Sequence, residues 1–269
     1  MFTAEDIRVS LGGRTVLGGV DFSAADGQVT AIVGPNGSGK TTLLRAMTGE
    51  LGYSGAVRLE GGDVASLKPW QLATRRGVLP QSTRLAFPFT VLEVVRLGLS
   101  AGRDAGQYDL PHQALARVGL PGFEGRFYQE LSGGEQQRTQ LARVLVQVWD
   151  PAPEGRPSWL FLDEPVASLD IGHQLEVMQL VRDYANAGGG VIAVMHDINL
   201  TAMFADSVAL MCDGLMVKQG APEAVLTNDT LTTAYGCQLR VNTTPPTGKI
   251  FLLPHVAGSG NARAAVEKS

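Results

Sequence analysis

Two periods of apolar residues alternate along this chain, and the places where one gives way to the other mark most of its elements. Near the start, Ile7-Arg8-Val9-Ser10-Leu11 alternates apolar and polar residues, Gly12-Gly13 interrupts, and Val20-Asp21-Phe22-Ser23-Ala24 alternates again. Successive side chains on a strand point to opposite faces, so this pattern predicts a small antiparallel sheet with one buried face. Residues 56–60, followed by Gly61-Gly62, are expected to join it. Residues 28–33 read differently, as an unbroken apolar and β-branched run that predicts a strand buried on both faces of a parallel sheet. Residues 159–162 and 190–195 repeat that pattern, and residues 173–187 between them have helical spacing. Residues 43–47 and 68–76 also read as helix, and residues 77–80 carry the chain back to the centre. From residue 87 to 148 the pattern is helical, with Thr90 as N-cap before a helix over residues 91–97 and a long helix over 134–148. A hairpin over residues 207–211 and 215–218 turns on Asp213-Gly214 and leads to a helical piece at 222–226.

Strands alternating with helices imply a wound α/β core. The helical stretch from about 87 to 150 reads as a second subdomain. Residues 150–157 contain three prolines and must be a loop. The Gly- and Ala-rich end, residues 254–269, is expected to be loose.

Composition narrows the function classes. The 269 residues are 44% hydrophobic and 18% charged, ordinary for a globular chain with a large core, and no internal repeat is evident. A net charge of −4 gives no basic footprint for nucleic acid, and direct lipid binding is likewise unsupported. No apolar run approaches the roughly 18 to 20 residues that span a bilayer, and the first residues lack the basic and apolar parts of a secretory signal, so a cytosolic protein is expected. Cys212 and Cys237 have no metal-type spacing and are expected to be reduced.

The chemistry concentrates in GPNGSGKTT, which comprises Gly34, Pro35, Asn36, Gly37, Ser38, Gly39, Lys40, Thr41 and Thr42. A strand before it and a helix after it are the setting of a phosphate-binding loop. Its glycines let backbone N–H groups turn around the β- and γ-phosphates, the helix N-terminus adds its positive end, and Lys40 adds a mobile cation. Thr41 offers a hydroxyl to Mg²⁺. At the end of the strand over 159–162, Asp163 is expected to steady Mg²⁺ and Glu164 to act as the base that polarises an attacking water. His196, at the end of another parallel strand, is expected to contact the γ-phosphate. Gln81 is placed to reach both the Mg²⁺ and the water. Ser132, Gly133 and Gly134 open a helix and form a second anion-binding N-terminus; Ser132 and Glu135 also fit an ordinary capping box.

Taken together, GPNGSGKTT, Gln81, LSGGEQ, LFLDE, Ser168-Leu169-Asp170 and His196, in that order, resemble the ATP-binding subunit of ABC transporters over about residues 2 to 240. The resemblance implies a P-loop NTPase (RecA-like) core with an antiparallel β subdomain, spanning residues 1–86 and 158–253, and an inserted α-helical subdomain over about 87–150. It implies an ATPase that works as a head-to-tail dimer with a second copy of itself. The LSGGEQ segment, which includes Ser132, Gly133, Gly134, Glu135 and Gln136, then closes over the γ-phosphate held by the other copy. The resemblance also makes Glu164 the catalytic base, His196 the γ-phosphate switch and Asp170 a cross-dimer contact, with Gln81 coupling the site to a subdomain that docks on a membrane permease dimer. A substrate-binding protein would be an indirect partner, cargo would not touch this chain, and its place would be the cytoplasmic face of the inner membrane. DNA- or ribosome-handling relatives carry tandem ATP domains, coiled coils or basic arms, which this chain lacks.

Several stretches narrow the likeness. Asp170-Ile171-Gly172-His173-Gln174, Phe87-Pro88-Phe89-Thr90-Val91 and Val57-Arg58-Leu59-Glu60 resemble the iron-siderophore, heme and vitamin B12 import branch. The loop DPAPEGRP and the run Glu130 to Arg138 are most similar to the heme importer ATPases. His112, His173, His196 and His255 are scattered and form no heme-ligand set. Two departures stand out. The family stacks adenine on an aromatic where this chain has none, leaving Leu11 or Val16 to offer an apolar face, and Val166 occupies a position where Thr is common.

Overall fold

The computed structural model describes residues 1–83, 85, 87–100, 109–244 and 250. The alternating segments form the expected hairpin: β1 (Phe2–Leu11) and β2 (Arg14–Ala24) pair antiparallel across Gly12-Gly13, both glycines in the left-handed region. β3 (Val29–Val33) then enters the glycine-rich loop, which passes into α1 (Lys40–Met47). β4 (Ser54–Leu59) returns to the free edge of β1, and the short β5 (Gly62–Asp63) pairs with β4, completing a four-stranded sheet.

α2 (Pro69–Ala73) precedes β6 (Arg76–Leu79). The expected helix over 68–76 therefore stops short, and Arg76 belongs to a strand. Gln147 donates to the carbonyls of both Ala73 and Arg76 at 2.9 Å, and Arg76 pairs with Trp159, so tertiary partners take over where local helical spacing would have continued.

Three α-helices follow among the described residues: α3 (Val91–Leu99), α4 (Leu110–Arg117) and α5 (Gly133–Gln147). Thr90 caps α3 through a reciprocal box with Glu93, as its position suggested. Arg138 on α5 donates to the carbonyls of Val118 and Gly119, which end α4. After the proline-rich loop come β7 (Trp159–Asp163), α6 (Ile171–Asn186), β8 (Gly190–Val194), α7 (Ile198–Phe204), β9 (Ser207–Cys212), β10 (Leu215–Gly220), α8 (Pro222–Val225) and α9 (Asn228–Tyr235). The expected loose end, residues 254–269, lies outside the described residues.

The second sheet has the order β10-β9-β3-β8-β7-β6, parallel except for β10. Its central strands β3, β7 and β8 are fully buried along their length, and their side chains divide between two cores. Ile32, Trp159, Phe161, Ile192 and Val194 pack toward α1 and the four-stranded sheet. Val29, Ala31, Leu160, Leu162, Val191 and Ala193 pack toward the helices on the other side. That double burial is why these strands read as unbroken apolar runs. Because β3, β6, β7 and β8 run parallel, the residues that follow them, Gly34, Gln81, Glu164 and His196, come out along one edge of the sheet. Open α/β sheets bind their ligands there.

Candidate functional site

Three glycines of the loop after β3, Gly34, Gly37 and Gly39, have positive φ, and at two of them the space is also closed to a side chain. A Cβ at Gly34 would run into the Met211 carbonyl, and one at Gly39 would lie 2.8 Å from the Leu17 side chain. The loop is therefore bent by conformations that only glycine adopts freely, and it is packed from behind by β9 and β2. α1 starts at Lys40 with no side-chain cap, so its first-turn amides are left for an external anion. Ser38 is buried, and its hydroxyl has no hydrogen-bond partner among the described residues. Lys40 Nζ donates to the carbonyls of Gly34 and Pro35 at 2.9 and 3.0 Å. Burial pushes its pKa below 10.5, opposed by the charges of Glu164 and Asp163.

Thr41 Oγ1 donates to Asp163 Oδ1 at 3.2 Å. Asp163 is buried, and desolvation pushes its carboxyl above the ordinary range, only partly offset by the Thr41 bond. Thr41, Gln81 and Asp163 line one cleft together. Glu164, one residue further, stands in the left-handed region at φ 54°. Its Oε1 accepts from Gln81 Nε2 at 2.9 Å and lies 2.6 Å from His196 Nε2. Two side chains from two other strand ends thus hold one carboxylate oxygen. Asn36, Gly37, Gly39, Lys40, Thr41 and Thr42 share a second cleft with Gln81, Glu164 and His196, and Val16 forms its apolar wall. Leu11 is not part of that wall.

The structure places LSGGEQ elsewhere. Ser132 caps α5 in the expected box: Ser132 N donates to Glu135 Oε2 at 2.7 Å, and Glu135 N donates to Ser132 Oγ at 3.3 Å. That hydrogen bonding, from the Ser132 backbone N–H first, holds the Glu135 carboxyl below its usual range. Arg126 approaches Glu135 to 3.6 Å, and Gln136 donates to the carbonyls of Tyr128 and Leu131. None of Ser132 to Gln136 lines the phosphate-loop cleft; Gly133 and Gln136 line a separate one that also includes Gln81 and Ser168. Asp170 caps α6, accepting from His173 N at 3.0 Å, and its Oδ2 lies 2.9 Å from His173 Nδ1. The site residues therefore fall into two groups: the phosphate loop with Gln81, Asp163, Glu164 and His196, and LSGGEQ with the segment leading to Asp170.

Sequence reasoning missed the residues that tie these groups together. Gln137 donates to the Glu164 carbonyl at 2.6 Å, and Gln174 donates to the carbonyls of Val166 and Leu169. A glutamine one turn into a helix carries no local signal of a partner 27 residues away.

Comparisons with known proteins agree with this geometry. A family model described as ABC transporter matches residues 17–167. The chain is 68% identical over 257 residues to hemin import ATP-binding protein HmuV of Jannaschia sp. (strain CCS1), covering 96% of this chain and 95% of that protein. It is 61% identical over 254 residues to the protein of the same name from Roseobacter denitrificans (strain OCh 114), covering 94% and 97%. Among solved structures it resembles MJ1267, an ATP-binding cassette of an ABC transporter in its ADP conformation, with TM-score 0.74, 24% identity and coverage of 87% and 98%. It also resembles the ATP-binding cassette MJ0796, a dimer in a post-hydrolysis state bound to ADP and Pi, with TM-score 0.72, 24% identity and coverage of 82% and 99%. At these identities the structures speak for the fold.

Proposed function

The chain belongs to the ABC transporter family, and from that premise we propose that it is the ATP-hydrolysing subunit of a heme (hemin) importer. The observation that carries the chemistry is Glu164, whose Oε1 is held between Gln81 and His196 on the edge of the phosphate-loop cleft. A carboxylate fixed in that position accepts a proton from a water approaching the γ-phosphate, and His196 and Gln81 keep it aimed. The uncapped α1 N-terminus, the unpartnered Ser38 hydroxyl and Lys40 receive the phosphates, with Lys40 exchanging its two loop carbonyls for phosphate oxygens.

Mg²⁺ fits the oxygens on this edge. Thr41 Oγ1 and Asp163 Oδ1 lie 3.2 Å apart, close to the roughly 3 Å between neighbouring ligands of an octahedral Mg²⁺ site. Thr41, Asp163 and the Gln81 side-chain oxygen would hold the ion, which when bound neutralises charge on the phosphates. Desolvated Asp163 gains a counter-charge by it.

None of the LSGGEQ residues lines its own chain's phosphate-loop cleft, which supports a head-to-tail dimer in which Ser132 to Gln136 of each copy complete the other's ATP site, with Asp170 at the contact. The division into a core with β subdomain, 1–86 and 158–253, and a helical subdomain, about 87–150, follows the same reading. No helix among the described residues is long and apolar enough to cross a membrane. Transport then requires a separate permease dimer, which would hold this chain at the cytoplasmic face of the inner membrane, with a substrate-binding protein as an indirect partner. Heme as cargo is supported by the likeness to the hemin import proteins; it would be met by the permease.

The test is growth of a deletion strain under iron starvation, with heme as sole iron source in one culture and ferric siderophore in another. Loss of growth on heme alone, restored by the wild-type gene but not by Glu164→Gln, is the expected result. Loss on siderophore with normal growth on heme would reassign the cargo and leave the ATPase standing.

A further inference from the structure

We propose that Gln137 is a positioning residue for Glu164, holding the base in its working conformation and making it responsive to the position of the LSGGEQ turn. The inference rests on the reading of Glu164 as base and of the head-to-tail dimer given above.

Glu164 has φ 54°, a conformation that residues with a side chain seldom adopt unless their surroundings hold them there. Its backbone is gripped on both sides. Glu164 N donates to the Val194 carbonyl at 3.1 Å, and Glu164 O accepts from Gln137 Nε2 at 2.6 Å and from Ala167 N at 3.3 Å. The Val194 contact comes from the central sheet, and the Ala167 contact from the same loop. Gln137 reaches in from α5, the helix that LSGGEQ begins.

The spacing on α5 gives this bond its meaning. Gln137 lies four residues after Gly133 and three after Gly134, so all three share one face of the helix. That face rests on the segment after Glu164: a Cβ at Gly134 would lie 3.0 Å from the Ser168 carbonyl, and one at Gly133 would lie 3.8 Å from the Ser168 side chain. From the other side Gln174 on α6 holds the carbonyls of Val166 and Leu169. The loop from Glu164 to Asp170 is thus clamped between α5 and α6, with Gln137 acting on its catalytic end. A hydrogen bond as short as this one, 2.6 Å, is lost after a shift of about 1 Å. Once released, the backbone of Glu164 keeps only the Val194 and Ala167 bonds against its positive φ, and relaxation toward negative φ swings the carboxylate off Gln81 and His196. In the dimer, the turn that carries Gln137 closes over the partner's ATP while Glu164 serves its own. One side chain then reports the state of one site to the base of the other.

The experiment uses the full-length protein reconstituted with its permease in liposomes, and compares Gln137→Met, which keeps the shape and removes the donor, with wild type. The loss of a single hydrogen bond that aims the base is expected to lower kcat about ten-fold while the KM for ATP stays within about two-fold. The Hill coefficient for ATP is expected to fall toward one. Introduced into Glu164→Gln, the substitution is expected to change residual turnover no further, because both act on one group. Unchanged kcat and Hill coefficient would overturn the proposal. So would a drop in kcat that comes with a lowered melting temperature, a raised KM and full additivity with Glu164→Gln, since that is what general loosening of α5 produces. Wild-type turnover by Glu164→Gln alone would instead remove Glu164 as the base, a separate failure that takes this inference with it.

Discussion

Burial raises the Asp163 carboxyl above its ordinary value of 3.8, because desolvation outweighs the Thr41 hydrogen bond and the neighbouring Lys40 charge. A raised folded-state value means that the native protein keeps a proton the unfolded chain has lost. Stability therefore falls as pH rises through the window between 3.8 and the folded value, and the full penalty is present above it. Asp163→Asn removes that buried charge and is expected to raise the melting temperature of the nucleotide-free protein at about pH 8, with the gain shrinking as pH falls into the window. The gain is limited because Asp163 also favours the charged form of buried Lys40. ATP turnover in the same variant should be lost, since the Mg²⁺ ligand is gone. Melting curves at about pH 8 and about pH 5 beside a turnover assay check both halves, and a variant that melts lower at the higher pH would contradict the desolvation argument. At Glu164 the expected effect is purely kinetic: Glu164→Gln keeps shape and burial but removes the base, lowering kcat by about 10²-fold or more, with ATP binding retained.

At the scale of elements, the fit between α3 and α5 is set by one small residue. Gly98 lies against the Arg143 carbonyl of α5 so closely that a Cβ would overlap it. Gly98→Ala therefore forces the two helices apart, and overpacking of this kind is expected to cost about 1–3 kcal/mol. Gly125, where an added methyl group would meet no neighbour within 4 Å among the described residues, is the control, and Gly125→Ala should stay within about 0.5 kcal/mol. Equal effects in denaturant titrations would show that the close approach does not matter. Gly98 also illustrates what the sequence leaves dark. The strands and the phosphate loop were legible because their signals are local: an apolar run, a glycine spacing, a capping pair three residues apart. Thr90 could be read as a cap and Ser132 with Glu135 as a box for that reason. The end of α2 at Ala73, by contrast, depends on Gln147, and Glu164 depends on Gln137. Contacts across 74 and 27 residues have no period, so they become visible only when the chain is folded. α9 was missed for a milder reason: Thr227 and Thr230 form its capping box, a pair weaker in sequence than Ser with Glu.

For the whole molecule, the separation of LSGGEQ from the phosphate-loop cleft makes a prediction that one chain alone cannot satisfy. Lys40→Ala removes the phosphate cation but leaves Ser132 to Gln136 intact, whereas Ser132→Arg blocks the helix N-terminus but leaves the phosphate loop intact. Each homodimer lacks a working site. Mixed in equal amounts, half of the dimers hold one copy of each, and every such dimer has one complete site, built from the phosphate loop of the Ser132→Arg copy and the LSGGEQ of the Lys40→Ala copy. Independent sites would then restore about a quarter of wild-type turnover. Sites that communicate through α5 and Glu164 would restore less, because the partner site in each mixed dimer never fills. No restoration at any mixing ratio, with dimers demonstrably exchanging copies, would place LSGGEQ on its own chain's ATP and overturn the head-to-tail arrangement. Adding Gln137→Met to the Ser132→Arg copy weakens the base of the one complete site, whereas adding it to the Lys40→Ala copy alters a site that never turns over. A loss of turnover confined to the first combination would locate the action of Gln137 on the base of its own chain.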